Sequence, residues 1–382
     1  MRNMYLIVLV VWGFLCIHKV HAQDEPVNQA AAYLRESGMR PDKYLLSKFD
    51  DADVILLAED HAVKENLLFI HHLIPQLYKR GIRLLGMEFG AAENQSLLDS
   101  LLVAPEFNES VAREIMRNYN VMWPVKEYME VYRAAWKLNR SLPAAAPKFR
   151  ILNISYRYNW RGFYGVREPE NMKKVFYKGN PEVFRMGILE KEVLSQSEKI
   201  LVLTGTPHAF THYRFPRYDY TAIDFVSYEC RDLGNLLYRK YGDRVLSVIL
   251  HQPFPNYPNR NPALASPAKG DIEAVFRKIG NEPMGFDLQD TPLGKLSDAS
   301  YYSMGYPEFT LSQLADGYIF LKPIHELTSC SADLQFTEGK SWKEVLDNVP
   351  DPDWHNSPQS PEEYWKVVYD LLDIPKRYQM FY

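Results

Sequence analysis

The sequence predicts an α/β fold: an open, mostly parallel sheet with flanking helices, a helical insertion between strands two and three, and a C-terminal elaboration. Three observations carry this. Apolar runs such as VILLA (54–58), ILVLT (200–204) and VLSVIL (245–250) are continuous rather than alternating, as in strands covered on both faces. Stretches with apolar residues at helical spacing lie between them. Several runs also stop on Glu, His or Gly, and strand ends of a parallel sheet share one edge where such residues meet.

The chain of 382 residues opens on an export-type leader. Arg2 gives a positive start, Met4 to Ile17 is apolar, and Val20-His21-Ala22 offers small residues for cleavage, so residues 1–22 read as a signal peptide. The apolar stretch falls short of the roughly 20 residues that span a bilayer. The expectation is an exported protein, periplasmic or secreted, with no transmembrane segment after leader removal. Removal leaves 360 residues, within reach of one large α/β domain: a core over 23–341 and a helical tail over 342–382. Formal net charge is −4 and becomes −6 once Arg2 and Lys19 leave. With no basic block, nucleic acid is not an expected partner. Cys230 and Cys330 remain, and an exported chain permits their pairing without requiring it.

Along the chain, DVILLA (53–58) gives the first strand. VKENLLFIHHLIPQLYKRG (63–81) gives a helix with Pro75 inside it and Gly81 at its end. The strand 82–87 then completes a right-handed βαβ unit. Residues 94–141 read as three helices, and LPAAAP (142–147) breaks that pattern before a third strand, 149–154. Further strands are expected at 199–204, 220–227 and 244–251. A Pro/Asn-rich loop follows 252, and the apolar segment DGYIFLKPI (316–324) belongs to the elaboration.

The groups that carry chemistry sit at strand ends. Glu59 and His61 are two apart, so an extended chain puts both on one side of the first strand's terminus. Such a pair ligates a metal, or the carboxylate fixes the tautomer of a catalytic imidazole; a plain helix cap is the bland alternative. Glu88, between glycines in GMEFG, ends an apolar run where an unpaired charge is costly, so it calls for a cationic partner. His208 follows the turn after 199–204, with His212 four further on, near the rim. Ala209 stands where a zincin requires Glu, so that motif is absent. Among Arg157, Arg161 and Arg167, the last adjoins a helix start and is the choice for orienting an anionic part of a substrate. No Gly-x-Ser-x-Gly elbow, Walker loop or Gly-x-Gly-x-x-Gly fingerprint is present, which leaves water, activated by a base or a metal, as nucleophile.

VILLAEDH (54–61), LLGMEFG (84–90) and ILVLTGTPH (200–208), in this order around a helical insertion, resemble the group that contains the ChaN-like haem-binding proteins, the Tiki/TraB proteins and the erythromycin esterases. The segment 123–139 is similar to the helix before the third strand in the esterase branch. The resemblance covers about residues 50–250 and implies a site at this sheet edge made of Glu59, His61, Glu88 and His208. It leaves the branch open: Ala58 replaces the usual glycine, and Glu-x-His spacing is that of the ChaN-like branch. The expectation is a hydrolase of an ester or amide in a small molecule or peptide, working through a divalent metal held by those four residues or through a water activated directly. The alternative is a haem or iron carrier, for which loop tyrosines would serve as ligands.

Overall fold

A computed structural model describes residues 25–118, 124–160, 168–219, 224–258, 263–346 and 358–382. The leader and Arg167 lie outside these residues. The sheet has seven strands: β1 (Val54–Glu59), β2 (Leu84–Ala91), β3 (Arg150–Ser155), β4 (Ile200–Gly205), β5 (Val245–Leu250), β6 (Met284–Asp287) and β7 (Gly317–Phe320). Their order across the sheet is β6-β7-β5-β1-β4-β2-β3, and only β6 runs antiparallel to its neighbour. Central β1 pairs Val54 with Ile200 on one side and with Val245 on the other.

All six residues of β1 and of β4 are buried, as their unbroken apolar runs predict. Alternation then divides the strands between two cores. Ile55, Leu57, Leu85, Met87, Leu201 and Leu203 face one core, with helix α1 (Lys64–Lys79) and the insertion helices α2 (Gln95–Val103), α3 (Glu109–Arg117) and α4 (Lys126–Ser141). Val54, Leu56, Ala58, Leu84, Ile200 and Val202 face the second core, with α5 (Pro181–Glu192), whose Leu189 lies in it. This parity decides which helix each strand-end residue meets.

The insertion between β2 and β3 is helical, as expected. Two expectations change. The segment taken as elaboration enters the sheet: Gly317, Tyr318 and Ile319 pair in parallel with Val248, Ile249 and Leu250, and Met284–Asp287 closes that edge. Of the strand expected over 220–227, residues 220–223 lie outside the described residues, and Asp224–Glu229 pairs with Phe215–Asp219 outside the main sheet. A four-residue strand carries too little pattern to announce long-range pairing, whereas the β-rich 224–229 shows nothing of where its partner lies. The tail is helical at α6 (Pro361–Leu372) and α7 (Ile374–Arg377), and Tyr364, Val368 and Leu372 pack into the first core. Cys230 and Cys330 are both unpaired, and Cys330 is buried within that core. Among the described residues no helix is long and apolar enough to cross a membrane.

Candidate active site

Glu59 shares the parity of Ile55 and Leu57, so it leaves the sheet on the α4 side. There the Tyr128 hydroxyl donates to its Oε1. His61 Nδ1 lies 3.2 Å from the same oxygen, while Oε2, also buried, has no hydrogen-bond partner among the described residues. Phe89 meets the His61 ring edge-on with centroids 4.8 Å apart. Gly205 closes the floor: a Cβ there would lie 2.9 Å from His61 Cε1 and 3.0 Å from Nε2. Glycine thus makes room for the imidazole in this position.

Glu88 has the opposite parity and leaves the sheet on the α5 side. Its partner is Arg185, whose Nη2 donates to Oε1 at 3.0 Å. The other oxygen accepts from Thr204 Oγ1 at 2.7 Å and from the Gly205 amide at 2.8 Å. His208 sits between two carboxylates, with Nε2 3.1 Å from Glu88 Oε1 and Nδ1 3.1 Å from Glu182 Oε2. Arg185, only 3% exposed, also donates to Glu182, to Ser155 Oγ and to the Tyr158 hydroxyl. Its Nη1 comes within 3.1 Å of His208 Nδ1, so two cations adjoin and the two shared glutamates hold them together.

The two histidines are therefore held differently. Burial opposes a charge on His208, but Glu88 and Glu182 outweigh it and push its pKa up to about 10. At neutral pH it is an imidazolium. Burial also opposes a charge on Glu88, and His208 with Arg185 nevertheless hold its carboxyl well below the ordinary carboxylate range. For His61, desolvation lowers the pKa and the Glu59 bond and charge raise it, leaving it above its ordinary 6.5. Burial pushes Glu59 upward against the pull of His61 and Tyr128. The side chains of His61 and His208 remain 31% and 28% exposed, so both reach solvent.

The four residues read from the sequence thus converge on one sheet edge around Glu88 and Gly205. His212 does not join them: its Nε2 is 3.2 Å from the Ser312 carbonyl, and its Nδ1 is 3.6 Å from Asp316. His251 is buried between Glu273 and the Tyr318 hydroxyl. Tyr128, Glu182, Arg185 and Thr204 were not read from the sequence. One signal was present, since Arg185 stands four residues before buried Leu189 and so occupies the inward stripe of its helix.

Glu88 and His208 fit a divalent metal poorly. Both oxygens of Glu88 and both nitrogens of His208 already have partners, and the Arg185 guanidinium occupies the place a cation would take. Among the described residues no group of three His, Cys, Asp or Glu side chains is arranged to hold a metal ion.

No protein-family model matches the chain, and no curated protein matches it. Solved structures do. A succinoglycan biosynthesis protein is similar at 11% identity and a TM-score of 0.51, over 78% of this chain and 96% of that one, which is a likeness of fold. A protein from Bacillus cereus is similar at 12% identity and a TM-score of 0.48, over 77% of this chain and 96% of its own. An erythromycin esterase mutant in its open conformation is similar at 13% identity and a TM-score of 0.48, over 72% of this chain and 92% of its own.

Proposed function

We propose that this chain is a hydrolase in which His61 activates water for attack on an ester or amide carbonyl. The observation that carries the reading is the pairing of two imidazoles in contrasting environments at one edge: His61 with its Nδ1 on Glu59, His208 held as a cation between Glu88 and Glu182. Environments that separate two titratable groups in this way assign a base and an acid. Glu59 accepts from Nδ1–H of His61, a tautomer that gives Nε2 the role of base toward water. The resulting hydroxide adds to the carbonyl carbon. As the bond from the acyl carbon to the leaving oxygen or nitrogen breaks, His208 gives that atom the Nε2 proton otherwise shared with Glu88, and solvent returns the proton from His61 to His208. Tyr128 fixes the carboxylate that orients the base. No metal is required by this scheme, because Arg185 and His208 already supply the positive charge beside Glu88.

The test is turnover of a panel of nitrophenyl esters and lactones by the full chain, by His61→Asn and by His208→Asn. Loss of activity in His61→Asn with an unchanged circular dichroism spectrum is expected. Wild-type turnover in that variant would refute the reading.

A further inference from the structure

The residues that carry His61 are held from far along the chain. Asp60, between the two site residues, turns away from them, and both of its oxygens accept from Arg377 Nη2, at 2.7 and 2.6 Å. The Tyr378 hydroxyl donates to the same carboxylate. The other nitrogen of the fork, Nη1, donates at 2.8 Å to the backbone carbonyl of His61 itself. One guanidinium therefore grips the residue before the imidazole and the backbone of the imidazole's own residue. Just beyond, Ala62 has φ +68°, a conformation an L-residue keeps only where its surroundings impose it. Those surroundings are again late in the sequence: Cys330 donates its amide to the Ala62 carbonyl at 3.0 Å, and the Ile374 amide donates to Ser329 Oγ at 3.0 Å.

We propose that Arg377 is the positioning residue of His61, and that the segment 374–378 is a working part of the site rather than packing at its margin. The inference deepens the hydrolase reading and rests on it for its kinetic consequence alone. Arginine suits the task because its rigid fork serves four acceptors at once, both Asp60 oxygens and the His61 and Leu371 carbonyls, which a lysine ammonium does not. Without it, Asp60 is released, the Ala62 turn relaxes, and the imidazole loses its fixed place between Glu59 and Gly205. A displacement of about 1 Å in such a group costs on the order of 100-fold in rate.

The experiment uses the full chain with Arg377→Met, Arg377→Lys, Asp60→Asn and, as a control, Val368→Ala, which weakens the buried face of α6 without touching Asp60. Nitrogen-15 spectra at a fixed alkaline pH report the His61 tautomer, with the resonance assigned by its loss in His61→Asn. The expected result is one tautomer, protonated on Nδ1, in the wild type and a mixture in Arg377→Met and Asp60→Asn. Alongside it, kcat is expected to fall on the order of 100-fold in Arg377→Met with KM within about twofold, less in Arg377→Lys, and not in Val368→Ala despite a lower melting temperature. A wild-type tautomer in Arg377→Met and Asp60→Asn overturns the proposal, as does a loss of rate that tracks melting temperature across all four variants. A tautomer change in a chain that hydrolyses no ester upholds the positioning role and removes the hydrolase reading.

Discussion

Replacing Arg185 by Met tests how the buried charges of the site are balanced. In the wild type two cations, Arg185 and His208, face two carboxylates, Glu88 and Glu182; Arg185 lies 3.0 Å from the first and 2.6 Å from the second. At those separations an effective dielectric of about 20 gives roughly 5–6 kcal/mol of attraction per pair, before the cost of taking the charges out of water. Removing one partner from such a cluster leaves a buried charge uncompensated, and the net loss is about 3–5 kcal/mol. Met preserves most of the aliphatic volume, so the loss reports charge rather than a cavity. Urea unfolding followed by circular dichroism at pH 7.5 measures it. The dependence on pH follows from the sign of each shift. Glu88 is depressed in the folded wild type, so its contribution is present above its ordinary 4.5 and fades as pH falls. In the variant the carboxyl can take a proton to escape its isolation, so the deficit is expected to shrink toward pH 4.5. Adding Glu88→Gln should recover part of the loss, which a double-mutant cycle quantifies. A deficit below about 1 kcal/mol at pH 7.5, or one that grows on acidification, would refute the charge-balance argument.

Other perturbations follow from the same geometry. The base needs a neutral His61 and the acid a charged His208, so kcat/KM is expected to rise through a pKa above 6.5 and to fall near pH 10; a profile rising without limit to pH 11 contradicts the acid role. The raised pKa of His208 also stabilises the fold fully below 6.5 and loses that effect as pH climbs through about 10, so a melting temperature that stays constant from pH 8 to 11 speaks against the buried imidazolium. Gly205→Ala places a methyl 2.9 Å from the His61 ring and should lower turnover about 10- to 100-fold while changing stability by less than about 2 kcal/mol; unaltered turnover would show that the ring is not held there. Dialysis against a chelator is expected to leave ester hydrolysis intact, and activity restored only by added zinc or manganese would return the site to the metal reading.

The sequence makes the parallel core readable because strands buried on both faces are written as unbroken apolar runs, and 54–58 and 200–204 leave no competing pattern. The strand-end residues are readable for a related reason: Glu59, Glu88 and His208 interrupt or follow such runs where a charge has a cost. What completes them is hidden. The helical stripe places Arg185 inward but not what it meets, and Glu182 looks like a member of a solvated face until α5 is laid against β3. Tyr128 reads as one more member of an apolar stripe, since nothing local distinguishes a hydroxyl aimed at Glu59 from one at the surface. The edge strand β6 and its neighbour β7 are too short for periodicity to separate them from loop, and only the pairing of β7 with Val248–Leu250 and of β6 with β7 reveals them. Proximity of Arg377 to Asp60 is of the same kind, a long-range fact with no local trace.

The place of β1 in the middle of the sheet bears on how the molecule is made. Both of its neighbours are contributed much later in the chain, since Val54 waits for Ile200 on one side and for Val245 on the other. During synthesis this apolar strand is therefore exposed along two bare edges until residues 200 and 245 have been added. Long-range parallel pairing of this sort closes slowly and leaves a sticky intermediate. Recovery of soluble material should depend on a holding chaperone more than on the stability of the finished protein, and slower growth at lower temperature should raise yield without any change in sequence.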